Sequence, residues 1–327
     1  MRTLFFFGSL RDKALLEVVL GRAVADADVV PATAPGYIAL ALGHEAYPYL
    51  AERPDGLAVG VVARNLTTAD IARLEYFEEA EYGLAPISVQ TTAGHVDAAY
   101  FAAGDKLDGK ERDILWDYDA WIRDDRAVAL EAAAELMAHF GLVAVEDVDT
   151  IWHGIMIRAR MRAQAKAETP VMGHLRRARG PEDVDHLGIT RPYTRYFAIE
   201  EHRLRHRRFD GRWSSEVLRT AVTSGDAVTV LPYDPVRDRV LLIEQFRAPM
   251  LARGDACPWA IEAIAGRIDQ DGDAEATARR EAEEEAGLRL GRIEKIAAYY
   301  ATPGISAEHL TAFVGEADLP GGEGIFG

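Results

Sequence analysis

A single cysteine, Cys257, stands among the 327 residues, so no disulfide can form within the chain and the composition suits a reducing compartment. No apolar run approaches the roughly 20 residues that cross a bilayer. Met1-Arg2 runs straight into the strand-like Thr3-Leu4-Phe5-Phe6-Phe7 and not into a signal peptide. Positive charge is also short. Against 53 Asp and Glu there are 37 Lys and Arg, a formal net charge of −16, which argues against a general nucleic-acid binder because phosphates would be repelled. Together these absences predict a soluble, cytoplasmic protein that partners neither nucleic acid nor membrane. What the chain does have is apolar content, 49% of its residues, enough for the two cores that its length suggests.

The most informative stretch is Ala265 to Leu288, AGRIDQDGDAEATARREAEEEAGL. A tight turn at Gly266 leads through a polar loop into a helix that Asp273 caps and Gly287 ends. At about 100° per residue, Glu281, Glu284 and Glu285 share one arc of that helix. Like charges three and four apart repel, so the arc costs stability unless a cation neutralises it. Carboxylates beside a carbonyl-bearing glycine turn suit a hard cation, Mg²⁺ or Mn²⁺. Three clustered glutamates alone would more often be a solvated helix face.

The longer pattern decides between these readings. The segment resembles the Nudix box, G-x5-E-x7-R-E-U-x-E-E-x-G-U with U aliphatic, from Gly266 through Arg280-Glu281, Glu284-Glu285, Gly287 and Leu288. Gly272 stands where the box has its first glutamate, a position peripheral to the metal in that family. The resemblance implies that the Ala265 carbonyl, Glu281 and Glu285 hold the metal, with Glu284 supporting them.

The first half reads as a mixed α/β unit. A buried strand, a glycine turn and an amphipathic helix open it. Strand-like runs follow at 32–42, 57–63 and 87–90, with a helix over 68–77. Then come VDAAYFAA and the alanine-rich WDYDAWIRDDRAVALEAAAELMAHFG, read as a helix. The half resembles the gamma-glutamylcyclotransferase-like (AIG2-like) family through Phe7-Gly8-Ser9-Leu10-Arg11 and Leu74-Glu75-Tyr76-Phe77-Glu78. The likeness implies that Gly8, Ser9 and Leu10 bind substrate through backbone N–H groups and that Glu78 is the acid/base. Phe7 replaces the family's usual tyrosine. Strand–Gly-Ser–helix is also an ordinary βα turn.

Between Ile151 and Arg191 the pattern loosens. IRARMRAQAK reads as a helix with a solvated basic face, and Glu168-Thr169-Pro170 and Arg179-Gly180-Pro181 are breakers. Residues 1–165 are therefore expected to form the first domain, 166–190 a linker and 191–327 the second. Asp210-Gly211 centres a β-hairpin and Asp234-Pro235 joins two further strands. PWAIEAIAG leads into the box, and IEKIAAYYATPG and LTAFVGEADL supply later strands.

This order is similar to the Nudix α/β/α sandwich, and RFDG, LIEQFR, PWAIEAIAG and ATPGISAEHL resemble ADP-ribose diphosphatases, including tellurite-resistance-associated members. The likeness implies a homodimer in which Arg219 reaches the partner's site. It also implies an Arg247 clamp, and a ribose and phosphate pocket lined by Arg267, Thr302, Pro303, Gly304 and Glu308. Phe197 is placed near the adenine but reads better as core, and Glu262 as a buttress of the turn. The expected activity is hydrolysis of ADP-ribose, or a related nucleoside diphosphate sugar, to AMP and ribose 5-phosphate. A gamma-glutamyl cyclotransferase centred on Glu78, or a non-catalytic sensing or dimerisation module, is the alternative role of the first half. Since GEGIFG follows LTAFVGEADL without a further helix, the second domain reads as C-terminally incomplete, with the strands around Ile296 and Phe313 partly uncovered.

Overall fold

The computed structural model describes residues 2–42, 47–78, 83–103, 111–168, 179–269, 272–321 and 324. The chain divides into two compact units, 1–167 and 168–327.

Unit one contains β1 (Arg2–Phe6), α1 (Lys13–Leu20), β2 (Val29–Leu42), β3 (Pro48–Leu66) and α2 (Thr68–Phe77), followed by β4 (Gly83–Thr91), β5 (Gly94–Ala102) and β6 (Glu111–Leu115). Three helices complete it: α3 (Tyr118–Asp124), α4 (Arg126–Met137) and α5 (Asp149–Ala167). The strands run β3-β1-β5-β4-β2-β6, and β2 pairs back onto β3, closing five of them into a barrel. Successive side chains of a strand point to opposite faces, and here both faces are covered. Leu4 and Phe6 pack among the helices, while Phe5 and Phe7 fill the barrel with Val62, Ile87 and Val89. That is why the opening strand reads as a continuous apolar run instead of an alternation.

Helix ends follow local chemistry. The Asp12 carboxylate accepts Leu15 N–H at 2.9 Å to start α1, and Gly21 at φ 67° ends it. Thr67 and Asp70 form a capping box on α2. The long helix expected over 116–141 is broken at Asp125 into α3 and α4. Aspartates favour helix starts over interiors, and Asp117 caps α3 through Asp119 and Ala120 N–H.

α5 corrects the reading of its basic residues as a solvated face. Arg158 is fully buried and donates to Glu135 of α4, also fully buried, at 2.8 and 2.6 Å; Arg162 holds the other carboxylate oxygen. Burial would push the Glu135 carboxyl up, but hydrogen bonding from Arg158 and the charges of both arginines hold it below its ordinary value.

Unit two opens with a three-stranded meander, β7 (Val184–Thr194), β8 (Ala198–His206) and β9 (Val217–Thr223). β7 begins inside the stretch expected to be linker. It pairs along β8 from Val184 to Thr194 with register shifts at His186/Gly188 and Thr190/Tyr193, and of the two breakers only Arg179-Gly180-Pro181 lies wholly among the described residues. Next come β10 (Ala227–Asp234), β11 (Arg239–Val240), β12 (Ile243–Phe246), α6 (Ala248–Arg253), β13 (Trp259–Glu262) and β14 (Ile264–Arg267). The unit ends with α7 (Ala274–Ala286), β15 (Ile293–Tyr300) and β16 (His309–Glu316). The sheet is ordered β11-β10-β16-β15, with β14 also on β10, and β12 pairs β13 separately.

Ala278, Ala282 and Ala286 of α7 lie on Val228, Val230, Ile264 and Phe313. These small residues let the helix approach the sheet closely, leaving Glu284 exposed while Glu281 and Glu285 lie half-buried beside β14. Phe313 is thus covered, while Ile296 of β15 is 64% exposed. Most of GEGIFG lies outside the described residues.

Removing one partner of a buried ion pair strands the other charge. Glu135→Leu should therefore lower stability by about 3–5 kcal/mol at neutral pH, read as a shift of the urea midpoint. Because the Glu135 carboxyl is depressed in the fold, its contribution is present above the unfolded carboxylate's value and fades as pH falls through the lower folded value. The wild-type advantage over Glu135→Leu should shrink in acid and not in base.

Candidate active site

β14 runs antiparallel to β10, setting Ala265 opposite Thr229 and Gly266 opposite Val228. Ile268 N–H to the Asp226 carbonyl, at 2.9 Å, carries this pairing into the polar loop. Gly272 has φ +65°, a left-handed conformation that a glutamate would adopt only with strain. The departure from the box pattern is therefore matched by the backbone. Asp273 then caps α7, accepting Glu275 and Ala276 N–H at 2.8 and 3.2 Å, and Gly287 ends it at φ 62°.

α7 sets Glu281 directly over Gly266. A Cβ at that glycine would lie 2.0 Å from Glu281 Oε1, so only glycine leaves room for the carboxylate. Glu285 receives Gln245 Nε2–H at 2.7 Å on one oxygen and Ala265 N–H at 3.4 Å on the other. Arg280 reaches Glu281 at 2.9 Å and Glu284 at 2.8 Å, with Asp269 at 3.6 Å. Burial pushes the Glu281 carboxyl up, Arg280 opposes the shift, and Glu285 and Glu284 reinforce it.

Among the described residues no three Asp, Glu, His or Cys side chains converge as a complete metal cage. Two carboxylates and a backbone carbonyl nevertheless fit Mg²⁺ or Mn²⁺, since Mg²⁺ usually takes one or two protein carboxylates and fills its remaining positions with water and substrate phosphate. Gly266 lets the Glu281 carboxylate lie against the same turn that carries Ala265.

The pocket residues fall into groups. The Arg267 guanidinium lies 4.0 Å over the Tyr196 ring and donates to the Ser224 carbonyl at 3.1 Å. The Ser224 hydroxyl lies 3.5 Å from Glu308, so Arg267 and Glu308 meet at a serine that sequence reasoning missed. Thr302, Pro303 and Gly304 are exposed in a loop latched to β9 through Val222, Ile305 and Ala307. Half-buried Asp226 accepts His309 N–H at 3.1 Å behind that loop, and burial raises its carboxyl.

Arg247 caps the start of α6 and donates to Glu262 at 2.6 Å, so Glu262 holds this arginine. Arg219 lies on β9 opposite His202 with its guanidinium on the Leu218 carbonyl, and among the described residues no hydrogen bond brings it to the box. Phe197 is 44% exposed, edge-on to Tyr196, and not a core residue.

In unit one a Cβ on Gly8 would lie 2.9 Å from Pro48 Cγ, and Ser9 and Leu10 are buried. Arg11 stacks over Tyr118 at 4.0 Å. Glu78 closes α2, its N–H on the Leu74 carbonyl at 2.9 Å. The acidic run after it lies outside the described residues.

Residues 223–323 match the family model for the NUDIX domain, and residues 4–123 match that for gamma-glutamyl cyclotransferase, AIG2-like. The ADP-ribose pyrophosphatase of Escherichia coli strain K12 is 40% identical over 148 residues, 45% of this chain and 70% of that protein. The chain belongs to the Nudix family. The ADP-ribose pyrophosphatase of Haemophilus influenzae is 33% identical over 148 residues, covering 45% of this chain and 68% of its own. A GDP-mannose pyrophosphatase of Yersinia pestis is 37% identical over 103 residues, 32% and 52% of the two chains. The Nudix box of this chain thus lies on β14, the loop and α7, and its AIG2-like region falls within unit one.

Gly266→Ala tests the close approach at the box. The methyl group should push the Glu281 carboxylate away and weaken Mn²⁺ binding at least about tenfold, read by the electron paramagnetic resonance of free Mn²⁺, with circular dichroism unchanged.

Proposed function

We propose that unit two hydrolyses the pyrophosphate bond of ADP-ribose, or of a related nucleoside diphosphate sugar, to AMP and ribose 5-phosphate. The observation that carries this reading is the Glu281 carboxylate over Gly266 with Glu285 tied to Ala265. The likeness to two ADP-ribose pyrophosphatases and a GDP-mannose pyrophosphatase supports the linkage.

A pyrophosphate resists hydrolysis because its oxygens repel a nucleophile. A divalent cation, Mg²⁺ or Mn²⁺, supplies neutralisation of those oxygens and a lowered pKa of water when bound. Glu281, Glu285 and the Ala265 carbonyl hold it, and Glu284 steadies Arg280 beside them. Arg247 exchanges Glu262 for a phosphate oxygen, a geometry its fork suits. Arg267 and Glu308, joined at Ser224, bound the ribose end together with Thr302, Pro303 and Gly304. The active form is a cytoplasmic homodimer, with Arg219 serving the partner's site. Exposed Phe246, Trp259, Ile261 and Ile296 support an apolar contact between copies.

Glu285→Gln should reduce turnover of ADP-ribose at saturating Mg²⁺ by about a hundredfold or more without unfolding, with AMP and ribose 5-phosphate quantified as products. Wild-type rates in that variant would sink the assignment.

The family match over residues 4–123 favours a second role for unit one, ligand sensing or gamma-glutamyl cyclisation at Glu78. With Gly8 against Pro48, Ser9 and Leu10 buried and Phe7 in place of tyrosine, sensing is the better reading. The Glu285→Gln protein given gamma-glutamyl amines should release no 5-oxoproline. Release that Glu78→Gln abolishes would establish the cyclotransferase instead.

A further inference from the structure

The carboxylates of the box helix are not treated alike. Arg280 supplies a positive partner to Glu281 and Glu284. Glu285 takes its hydrogen bonds from the Gln245 side-chain amide and the Ala265 backbone N–H. Both donors are neutral, and they come from different strands, β12 and β14. A charged donor would orient the carboxylate and cancel its charge together, whereas an amide orients it and leaves the charge in place.

We infer that Gln245 is a positioning residue for the cation: it fixes Glu285 beside Ala265, whose N–H holds its other oxygen, while preserving the negative charge that the ion requires. This inference rests on the site reading above. The amide of Gln245 contacts Glu285 and acts through it. Partners that orient a ligating carboxylate typically govern metal affinity by about ten- to a hundredfold. The residue type is itself informative. A lysine at 245 would reach the same oxygen but stand in for the cation, and a methionine would fill the space with no donor.

The test measures Mn²⁺ binding to the full chain without substrate, by electron paramagnetic resonance of the free ion, together with thermal midpoints in EDTA. Gln245→Met should weaken Mn²⁺ binding at least about tenfold while leaving the metal-free midpoint close to wild type. Gln245→Lys should raise the metal-free midpoint by relieving repulsion along the helix, yet weaken Mn²⁺ binding further than Gln245→Met. Gln245→Asn, which keeps the amide on a shorter arm, should fall between wild type and Gln245→Met.

A Gln245→Met protein with a lower midpoint but wild-type Mn²⁺ affinity would mean that the amide only fastens β12 to α7, and would overturn the inference. Wild-type affinity in Gln245→Lys would do the same, since charge at that position would then be immaterial. If the wild-type chain itself binds no Mn²⁺, the cation site fails and the inference with it. Normal Mn²⁺ binding without turnover of ADP-ribose would leave the role of Gln245 standing and remove only the substrate assignment.

Discussion

Repulsion among the carboxylates of α7 is the constraint on which the C-terminal unit turns. Glu281, Glu284 and Glu285 are crowded on one arc, and burial adds its own penalty at Glu281. Left alone, such a helix would fray or turn its acidic side to water. The surrounding structure denies that escape. Three alanines fix the adjoining side of α7 to the sheet, Gly266 admits the Glu281 carboxylate against the backbone, and Asp273 and Gly287 determine where the helix begins and stops. Arg280 relieves part of the repulsion from within the helix. The remainder makes the site receptive to a small divalent ion and, through it, to phosphate.

Much of this was legible in the sequence because the box compresses a turn, a cap, a helix and its terminator into one short stretch. Residues whose role is local, such as Asp273 and Gly287, announce themselves by type and spacing. What stayed hidden depends on contacts between distant segments. Gln245 lies within the quoted LIEQFR run, yet nothing in its neighbourhood says that its amide meets Glu285, 40 residues later. Ser224 is unremarkable until Arg267 and Glu308 converge on it.

Arg158 shows the same limit in the other unit. In a basic stretch the ordinary expectation is a solvated side chain, and only the packing of α4 on α5 places Glu135 where the charge can be buried. β7 was obscured for a different reason, since the breaker Arg179-Gly180-Pro181 stands just before a strand whose partner, β8, secures it. Gly272 illustrates the reverse case: a mismatch to a motif acquired its meaning from a backbone angle.

The parallel pairing of β10 with β16 has a kinetic consequence. Asp226 and His309, joined at the start of that pair, are 83 residues apart in sequence. β10 and β14 can form their antiparallel ladder early, but Phe313, which completes the floor beneath α7, arrives only with β16. Closing so long a loop carries an entropic penalty that is repaid only once the strands have zipped. α7 can thus settle on β10 and β14 as soon as it emerges, while its seat is completed by the last strand of the sheet.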